Sequence, residues 1–536
     1  MKPQTASGLF QKILIANRGE IACRIIRTCQ NLGIPTVAVY SEADRDALHV
    51  RLADDAFHIG KATPEDSYLN HERILETAIQ CQADAIHPGY GFLAENDVFA
   101  EACLSKGIHF IGPRPESIRE MGSKSRAKQL MQEAGVPVVP GYHGDKQDFK
   151  ILRNEAEKIG FPLLIKPVAG GGGRGMRVVR QLNELEEALT LSRSEAKNAF
   201  GDDNVLLERF IEGPRHIEFQ IFGDQHGNFV HLHERECSIQ RRHQKILEES
   251  PSPFLDETLR KQMAEASLKA ANAVQYLGAG TVEFIVGEDR SFYFIEMNTR
   301  LQVEHPVTEM RTGLDLVEWQ IRVASGEKLP LDQDQIRPKG HSIEVRVCAE
   351  NPERGFLPSS GLLELYDFPE DPSASGSSLI RLDSGFEQKD RVGIHYDSML
   401  AKLIVHGEER EKALETIQHA LKNTAIIGPE TNLGFLQKLV SHPQFLEGKA
   451  DTLFIDACLP ELLQNEETTP EWIYWACAID FLQSEQESAR QKAANSSNPH
   501  SPWLFFDNWR MGGEEPFQIS FRDEENHQRE VRLIER

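Results

Sequence analysis

The stretch FPLLIKPVAGGGGRGMRVVR, residues 161–180, sets a lysine at the end of an apolar run, follows it with four glycines and returns to a β-branched run. Backbone N–H groups free of side chains can close over phosphates, and an ammonium leaving the strand just before them can meet an α- or β-phosphate. Gly170, Gly172 and Gly175 satisfy G-x-G-x-x-G, but that fingerprint needs a helix opening on its last glycine, and residues 176–180 read as a strand. The segment is therefore a hairpin flap: either a phosphate cover helped by Lys166, or an ordinary mobile hairpin with a snorkelling surface lysine.

A second group of reactive residues lies in GTVEFIVG and SFYFIEMNTRLQVEH. Alternate side chains of an extended strand share a face, so Glu296 and Asn298 project together while Ile295 and Met297 point the other way, and Glu283 on the preceding strand can pair across. Hard oxygen ligands of this kind suit Mg²⁺ bridging nucleotide phosphates, though each carboxylate taken singly fits a solvated strand face equally well. Arg300, Gln302 and Glu304 continue the even register. A fully extended run to Glu304 would span about 26 Å at roughly 3.3 Å per residue, so a shared site requires the chain to bend after Asn298. Such a loop, carrying a guanidinium, an amide and a carboxylate, suits the binding of a small anion and removal of its proton. His305-Pro306 predicts an extended His305 that holds the loop. A third cluster, ECSIQRRHQKILEES, puts Gln240, His243 and Lys245 in a basic patch, either an anion site or a solvated connection.

The elements that must position these groups follow from the periodicity. KILIA, a helical EIACRIIRTCQNLG ending at glycine, and PTVAVY make a right-handed βαβ unit, and ADAIHPGYGFLAEN and GIHFIGP continue a doubly wound, Rossmann-like α/β domain. From 205 to 305 strands dominate, giving a mostly antiparallel α+β centre, and a mixed α+β unit starts near Gly340 with HSIEVRVCAENP. The tail after Pro470 is aromatic-rich, then polar, then strand-like. The chain of 536 residues is large enough for several domains. Its formal net charge of −24 argues against a nucleic-acid binder. Eight scattered cysteines without a C-x-x-C pair argue against a zinc ribbon or a disulfide framework. No apolar run is long enough for a bilayer span, so no membrane partner and a cytoplasmic location are expected.

Taken in order, KILIANRGEIACRII, HPGYGFLAEN, FIGP, KPVAGGGGRGM, CSIQRRHQK, FIEMNTRLQVEHPVTE and YDSMLAKLI resemble the biotin carboxylase subunit or domain of biotin-dependent carboxylases, with an ATP-grasp centre and a mobile lid, over about residues 10–455. The resemblance implies that ATP phosphorylates bicarbonate to carboxyphosphate, which yields CO₂ for N1′ of biotin. By the same match, Lys124, Lys166, Gly171, Gly172, Gly173, Glu208, His216, Gln240 and His243 would hold ATP, and Lys245 would also sit at the phosphates and bicarbonate. Glu283 and Glu296 would ligate Mg²⁺ or Mn²⁺, two ions, with Asn298 close by. Arg300, Gln302 and Val303 would place bicarbonate, Glu304 would deprotonate it, and Arg346 would stabilise the biotin enolate. Arg209 departs from a frequent lysine, at a position expected to offer adenine its backbone.

The implied domains are 1–123, 124–337 with a lid at about 141–215, 338–455, and a helical linker with an incomplete domain at 456–536. NSSNPHSPWLFFDNWRMGG resembles the region after the carboxylase domain in α subunits of 3-methylcrotonyl-CoA or geranyl-CoA carboxylases, which implies a C-terminally truncated chain. The implied partners are a biotin carrier domain or protein, a carboxyltransferase β subunit, and further copies of the chain in a homo-oligomer. Carrier domains of the family present their lysine as Met-Lys-Met, and the only Met-Lys here is Met1-Lys2. An acetyl-CoA, propionyl-CoA or geranyl-CoA carboxylase, or a catalytically silent nucleotide-binding scaffold, are the competing readings.

Overall fold

The computed structural model describes residues 8–144, 146–168, 175–369, 379–464, 471–501, 504, 509–510, 513–514, 517–522 and 528–533. They belong to two compact units, residues 1–463 and 464–536.

The larger unit begins with a five-stranded parallel sheet: β1 (Ile13–Ile15), β2 (Thr36–Ser41), β3 (Asp55–Gly60), β4 (Ala85–His87) and β5 (His109–Phe110), in the order β3-β2-β1-β4-β5. The helix Gly19–Leu32 crosses from β1 to β2 with Ile21, Ile25 and Ile26 buried along one stripe. It stops at Gly33, whose φ of 71° lies in the left-handed region that glycine enters without a Cβ clash. Strand order reverses between β1 and β4, the place where such sheets bind ligands. Here the Asn17 amide donates to the carbonyls of Pro88 and Tyr90, each at 2.7 Å, and ties the two loops together.

A small antiparallel sheet follows, β6 (Gly141–Tyr142), β7 (Leu163–Pro167), β8 (Arg177–Val179) and β9 (Val205–Arg209), in the order β6-β9-β7-β8. It packs its own core of Leu152, Leu163, Ile165, Val179, Leu189 and Leu207. β7 and β8 are the two arms of the expected hairpin, paired from Leu163–Val179 to Ile165–Arg177.

The strand-rich centre forms β10 (Arg215–Gly223), β11 (Phe229–Arg241), β12 (Gln244–Ser250), β13 (Gly278–Val286) and β14 (Phe292–Asn298). With β15 (His341–Cys348) and the strands Met399–Gly407 and Leu379–Ser384 they make one eight-stranded sheet in the order β14-β13-β10-β11-β12-β15, then Met399–Gly407, then Leu379–Ser384. β12 pairs β15 from Leu247–Val345 to Ser250–Ser342, so the sheet runs without a break across residues 337–338. Ile343, Val345 and Val347 face a core completed by Leu403, Val405, Ile417 and Leu421. In the smaller unit, the helix Glu471–Ala494 precedes a hairpin of Phe517–Arg522 and Gln528–Leu533, the two strands legible in PFQISFRD and REVRLIER.

Candidate active site

Register builds the site. Arg235 on β11 lies opposite Glu218 on β10, Glu218 opposite Glu283 on β13, and Glu283 opposite Glu296 on β14. One guanidinium and three carboxylates thus form a row across four strands, and like charges directly opposite each other repel unless cations intervene. Arg235, fully buried, donates through Nε to Glu218 Oε1 at 2.6 Å and through its other nitrogens to Gln220, Thr281, Thr308 and Gln302. Lys245 supplies the second cation: its Nζ lies 2.5 Å from Glu218 Oε2, 2.9 Å from Glu283 Oε1 and 2.6 Å from Glu304 Oε1. Burial works against the Lys245 ammonium, but the three carboxylates hold its pKa well above the usual lysine range.

Glu283 Oε1 also accepts from Asn298 Nδ2 at 2.8 Å and Gln302 Nε2 at 2.7 Å, while His216 Nε2 sits 2.9 Å from Oε2, off the angle of a hydrogen bond. Against burial, Lys245 and His216 keep the Glu283 carboxyl well below its ordinary pKa. Glu296, at the end of the row, shows the reverse: burial and the charge of Glu283 raise it, with Lys124 opposing. That end is short of positive charge. Two opposed carboxylates with an amide beside them are the hard-oxygen set that a divalent cation bridging phosphates requires, so Glu283, Glu296 and Asn298 fit the expected ion.

β14 ends at Asn298 and the chain bends there, as sharing one site demands. Arg300 folds back, its Nη2 on Asn298 Oδ1 at 3.0 Å and its Nε on Glu95 Oε2 at 2.8 Å. A register shift with Ile295 as the extra residue interrupts the alternation expected along β14, while Met297 still enters the core. His305 is not extended. It opens the buried helix His305–Thr312, with Pro306 in the first turn, where a missing N–H costs nothing. The loop is nonetheless held, because His305 Nδ1 bonds Gln302 O at 2.7 Å.

Glu304 is the junction. One oxygen meets Lys245, and the other lies 3.1 Å from Arg346 Nη2, whose Nε donates to Glu248 Oε1 at 2.8 Å. Burial would protonate Glu304, yet Lys245, Arg346 and Arg235 keep its carboxyl well below the ordinary range. The Val303 carbonyl accepts from Lys402 Nζ at 2.8 Å, and Lys402, fully buried, also lies 3.1 Å from Glu20 of the first sheet's helix.

The structure thus brings His216, Lys245, Glu283, Glu296, Asn298, Arg300, Gln302, Val303, Glu304 and Arg346 into one connected cluster. Lys166 and Glu208 form a separate pair on the small sheet: Lys166 and Lys128 both bind Glu208 through very short contacts, and against burial they hold its pKa at about 2. Lys124 is exposed at the start of the helix Lys124–Glu133. Gln240 lies opposite Lys245 on the β11–β12 hairpin, and His243 is exposed at its tip with a φ of 66°. Gly171, Gly172 and Gly173 lie outside the described residues. Sequence reasoning missed Arg235, Glu218, Glu248, Lys128 and Lys402. Glu218 in RHIEFQIFG and Arg235 in FVHLHERECSIQR share their strands with other polar residues, so no local pattern marks them as a buried pair.

Three family descriptions match the chain: "Biotin carboxylase, N-terminal domain" over residues 9–118, "Carbamoyl-phosphate synthase L chain, ATP binding domain" over 123–332, and "Biotin carboxylase C-terminal domain" over 344–457. The chain is 48% identical over 515 residues to the mitochondrial methylcrotonoyl-CoA carboxylase subunit alpha of Dictyostelium discoideum, covering 96% of this chain and 72% of that one. It is 51% identical to a biotin carboxylase of Nostoc over 446 residues, 83% of this chain and 98% of the relative. Among solved structures, the biotin carboxylase domain of Hydrogenobacter thermophilus 2-oxoglutarate carboxylase, in complex with MgADP, ADP and bicarbonate, superposes with a TM-score of 0.78 at 47% identity, covering 86% of this chain and all of that one. The biotin carboxylase–β-γ-ATP complex of Campylobacter jejuni gives 0.77 at 46%, covering 84% and 99%.

Proposed function

Because the chain belongs to the biotin carboxylase family, together with the methylcrotonoyl-CoA carboxylase α subunits, we propose that it carboxylates biotin at N1′ with ATP and bicarbonate, as the first half-reaction of an acyl-CoA carboxylase. The observation that carries this reading is Glu304, a buried carboxylate bound on one oxygen by Lys245 and on the other by Arg346.

With both cations on it, Glu304 is ionised but a weak base. When the phosphates of ATP and the bicarbonate anion draw Lys245 and Arg346 onto their own charge, the attraction that depresses the Glu304 pKa is lost, and the carboxylate becomes basic enough to take the bicarbonate proton. The freed oxygen attacks the γ-phosphorus and ADP leaves; the resulting carboxyphosphate breaks into CO₂ and phosphate, the phosphate takes the N1′ proton, and the biotin enolate so formed attacks CO₂ through N1′. Arg300, Gln302 and the Val303 backbone would hold bicarbonate, and Arg346 the biotin enolate. Lys124, Lys166, Glu208, His216, Gln240, His243 and the Gly171–Gly173 backbone would hold ATP. A divalent ion at Glu283 and Glu296, beside Asn298, would neutralise phosphate oxygens as charge builds on them.

Six relatives named as methylcrotonoyl-CoA carboxylase α subunits, at 48–54% identity, favour 3-methylcrotonyl-CoA as the final acceptor over acetyl-, propionyl- or geranyl-CoA. The partners would be a biotin carrier, a carboxyltransferase β subunit and further copies of the chain. Eight free cysteines, six of them buried, support a reducing compartment such as the cytoplasm. The deciding experiment is ADP release that requires bicarbonate and rises with free biotin. ATP binding without such turnover would leave only a nucleotide-binding scaffold.

A further inference from the structure

Two carboxyl groups that the reaction above leaves unused face each other behind Arg346. Glu248 on β12 and Glu344 on β15 are direct cross-strand partners, which sets their Cβ atoms about 5 Å apart, and both are fully buried. Glu248 commits Oε1 to Arg346. Its Oε2 and both oxygens of Glu344 are buried without a hydrogen-bond partner. Two anions at this spacing without a second bonded cation would be costly.

The surrounding charges are already engaged. Arg346, on the strand of Glu344 itself, is divided between Glu248 and Glu304. Lys402, on the neighbouring strand Met399–Gly407, bonds the Val303 carbonyl and meets Glu20. Lys245, on the strand of Glu248, serves Glu218, Glu283 and Glu304. From the helix His305–Thr312, packed on β15, His305 is buried and held neutral by burial and the nearby cations, and Glu309 is bound by Arg24 and Arg381. Glu304, on the loop after β14, adds negative charge. On the other face of β15, Ile343, Val345 and Val347 share an apolar core with the helix Arg410–Lys422.

We propose, building on the carboxylase reading, that Glu248 and Glu344 hold a single proton between them, carried by Glu344. One anion, Glu248, then aims Arg346 at Glu304 and at biotin. Losing the proton places a second anion behind Arg346 and draws the guanidinium off the site. Glu248 and Glu344 are positioning residues, acting through Arg346. Burial raises both groups: Glu248 to about 7 with Arg346 opposing, so it is the first of the two to ionise, and Glu344 well above the ordinary range, where the Glu248 charge adds to burial and Lys402 opposes, so it is the one that keeps the proton.

The test is the pH profile of biotin-dependent turnover together with the pH dependence of Tm. Wild type should lose turnover on the alkaline side by about tenfold per pH unit once the pair gives up its proton. Glu344→Gln, whose amide has no proton to lose there, should move that fall upward by a pH unit or more. A carboxyl raised in the folded state makes the protein lose stability as pH climbs from the unfolded pKa towards the folded one. The Tm of Glu344→Gln should therefore gain on wild type steadily from pH 5 to 8. That arm needs no turnover, so a failure of the carboxylase reading leaves it standing. Should Glu344→Gln not fold, Glu248→Gln leaves one carboxyl to serve as the single anion: the alkaline fall should vanish while the KM for biotin rises and that for ATP does not. A wild type without the fall, or a variant that keeps both the fall and a constant Tm gap, overturns the proposal.

Discussion

Glu304 is fixed by what its neighbours do as much as by its own chemistry. An amide at this position keeps the bonds to Arg346 and the packing but cannot accept a proton, so Glu304→Gln should retain ATP binding and lose about 10² to 10⁴-fold in bicarbonate-dependent ADP release. Near wild-type release would remove Glu304 from the role of base. Lys245 carries a different burden, since its ammonium separates three buried carboxylates. Lys245→Met should abolish turnover and cost about 3 to 5 kcal/mol at neutral pH, the range for breaking a buried pair. The sign with pH is diagnostic. In wild type, Glu283 and Glu304 are depressed, so their stabilisation is complete above the unfolded carboxylate pKa and fades only below it. In the variant the uncompensated carboxylates rise, stability falls as pH climbs above that value, and the two denaturation curves should converge in mild acid. Two-residue spacing put Glu296 and Asn298 on one strand face with Glu283 across from them, and the structure brings these three together, whereas Lys124, Glu208, His216 and Arg346 were implied by the family resemblance alone. Arg235 and Glu218 were not legible, because a charge within a strand looks like a solvated position until the register shows what lies opposite. His305 misled for a related reason: the rule that a residue before proline is extended gives way in the first turn of a helix.

At the level of the element, the small sheet of β6–β9 is a body with its own core, and its one buried acid, Glu208, is pinned by Lys166 from β7 and Lys128 from a helix outside the sheet. A carboxyl lowered from 4.5 to about 2 contributes on the order of 3 kcal/mol above the unfolded pKa, and that contribution is lost as pH falls from about 4.5 towards 2. Glu208→Gln should accordingly show its largest Tm deficit at neutral pH and none near pH 2. Nucleotide should compete for Lys166, so the amides of β7 and β8 should exchange hydrogen more slowly with ATP than without it. Equal protection in both states would break the link between this sheet and the phosphates. The hairpin arms, the strand-rich centre and the parallel sheet were all readable from periodicity. The Lys128 link was not, because it joins residues 80 positions apart and no local pattern encodes such a contact.

On the scale of the whole molecule, no lysine of the chain sits between two methionines, so co-expression with an active biotin ligase should leave its 60.5 kDa band dark to streptavidin on a denaturing blot. A strong covalent signal would place a carrier within these 536 residues. The unbroken eight-stranded sheet bears on something else, the order in which the chain is made. β12 is finished by Ser250, but the strand that completes its outer side begins only at His341, and the strand beyond that ends at Gly407. A nascent chain therefore carries a bare row of N–H and C=O groups for about ninety residues of synthesis, and such rows recruit other chains. A fragment ending at residue 337 should aggregate, and one ending beyond Gly407 should stay in solution, so the sheet's last strands act in effect as its chaperone.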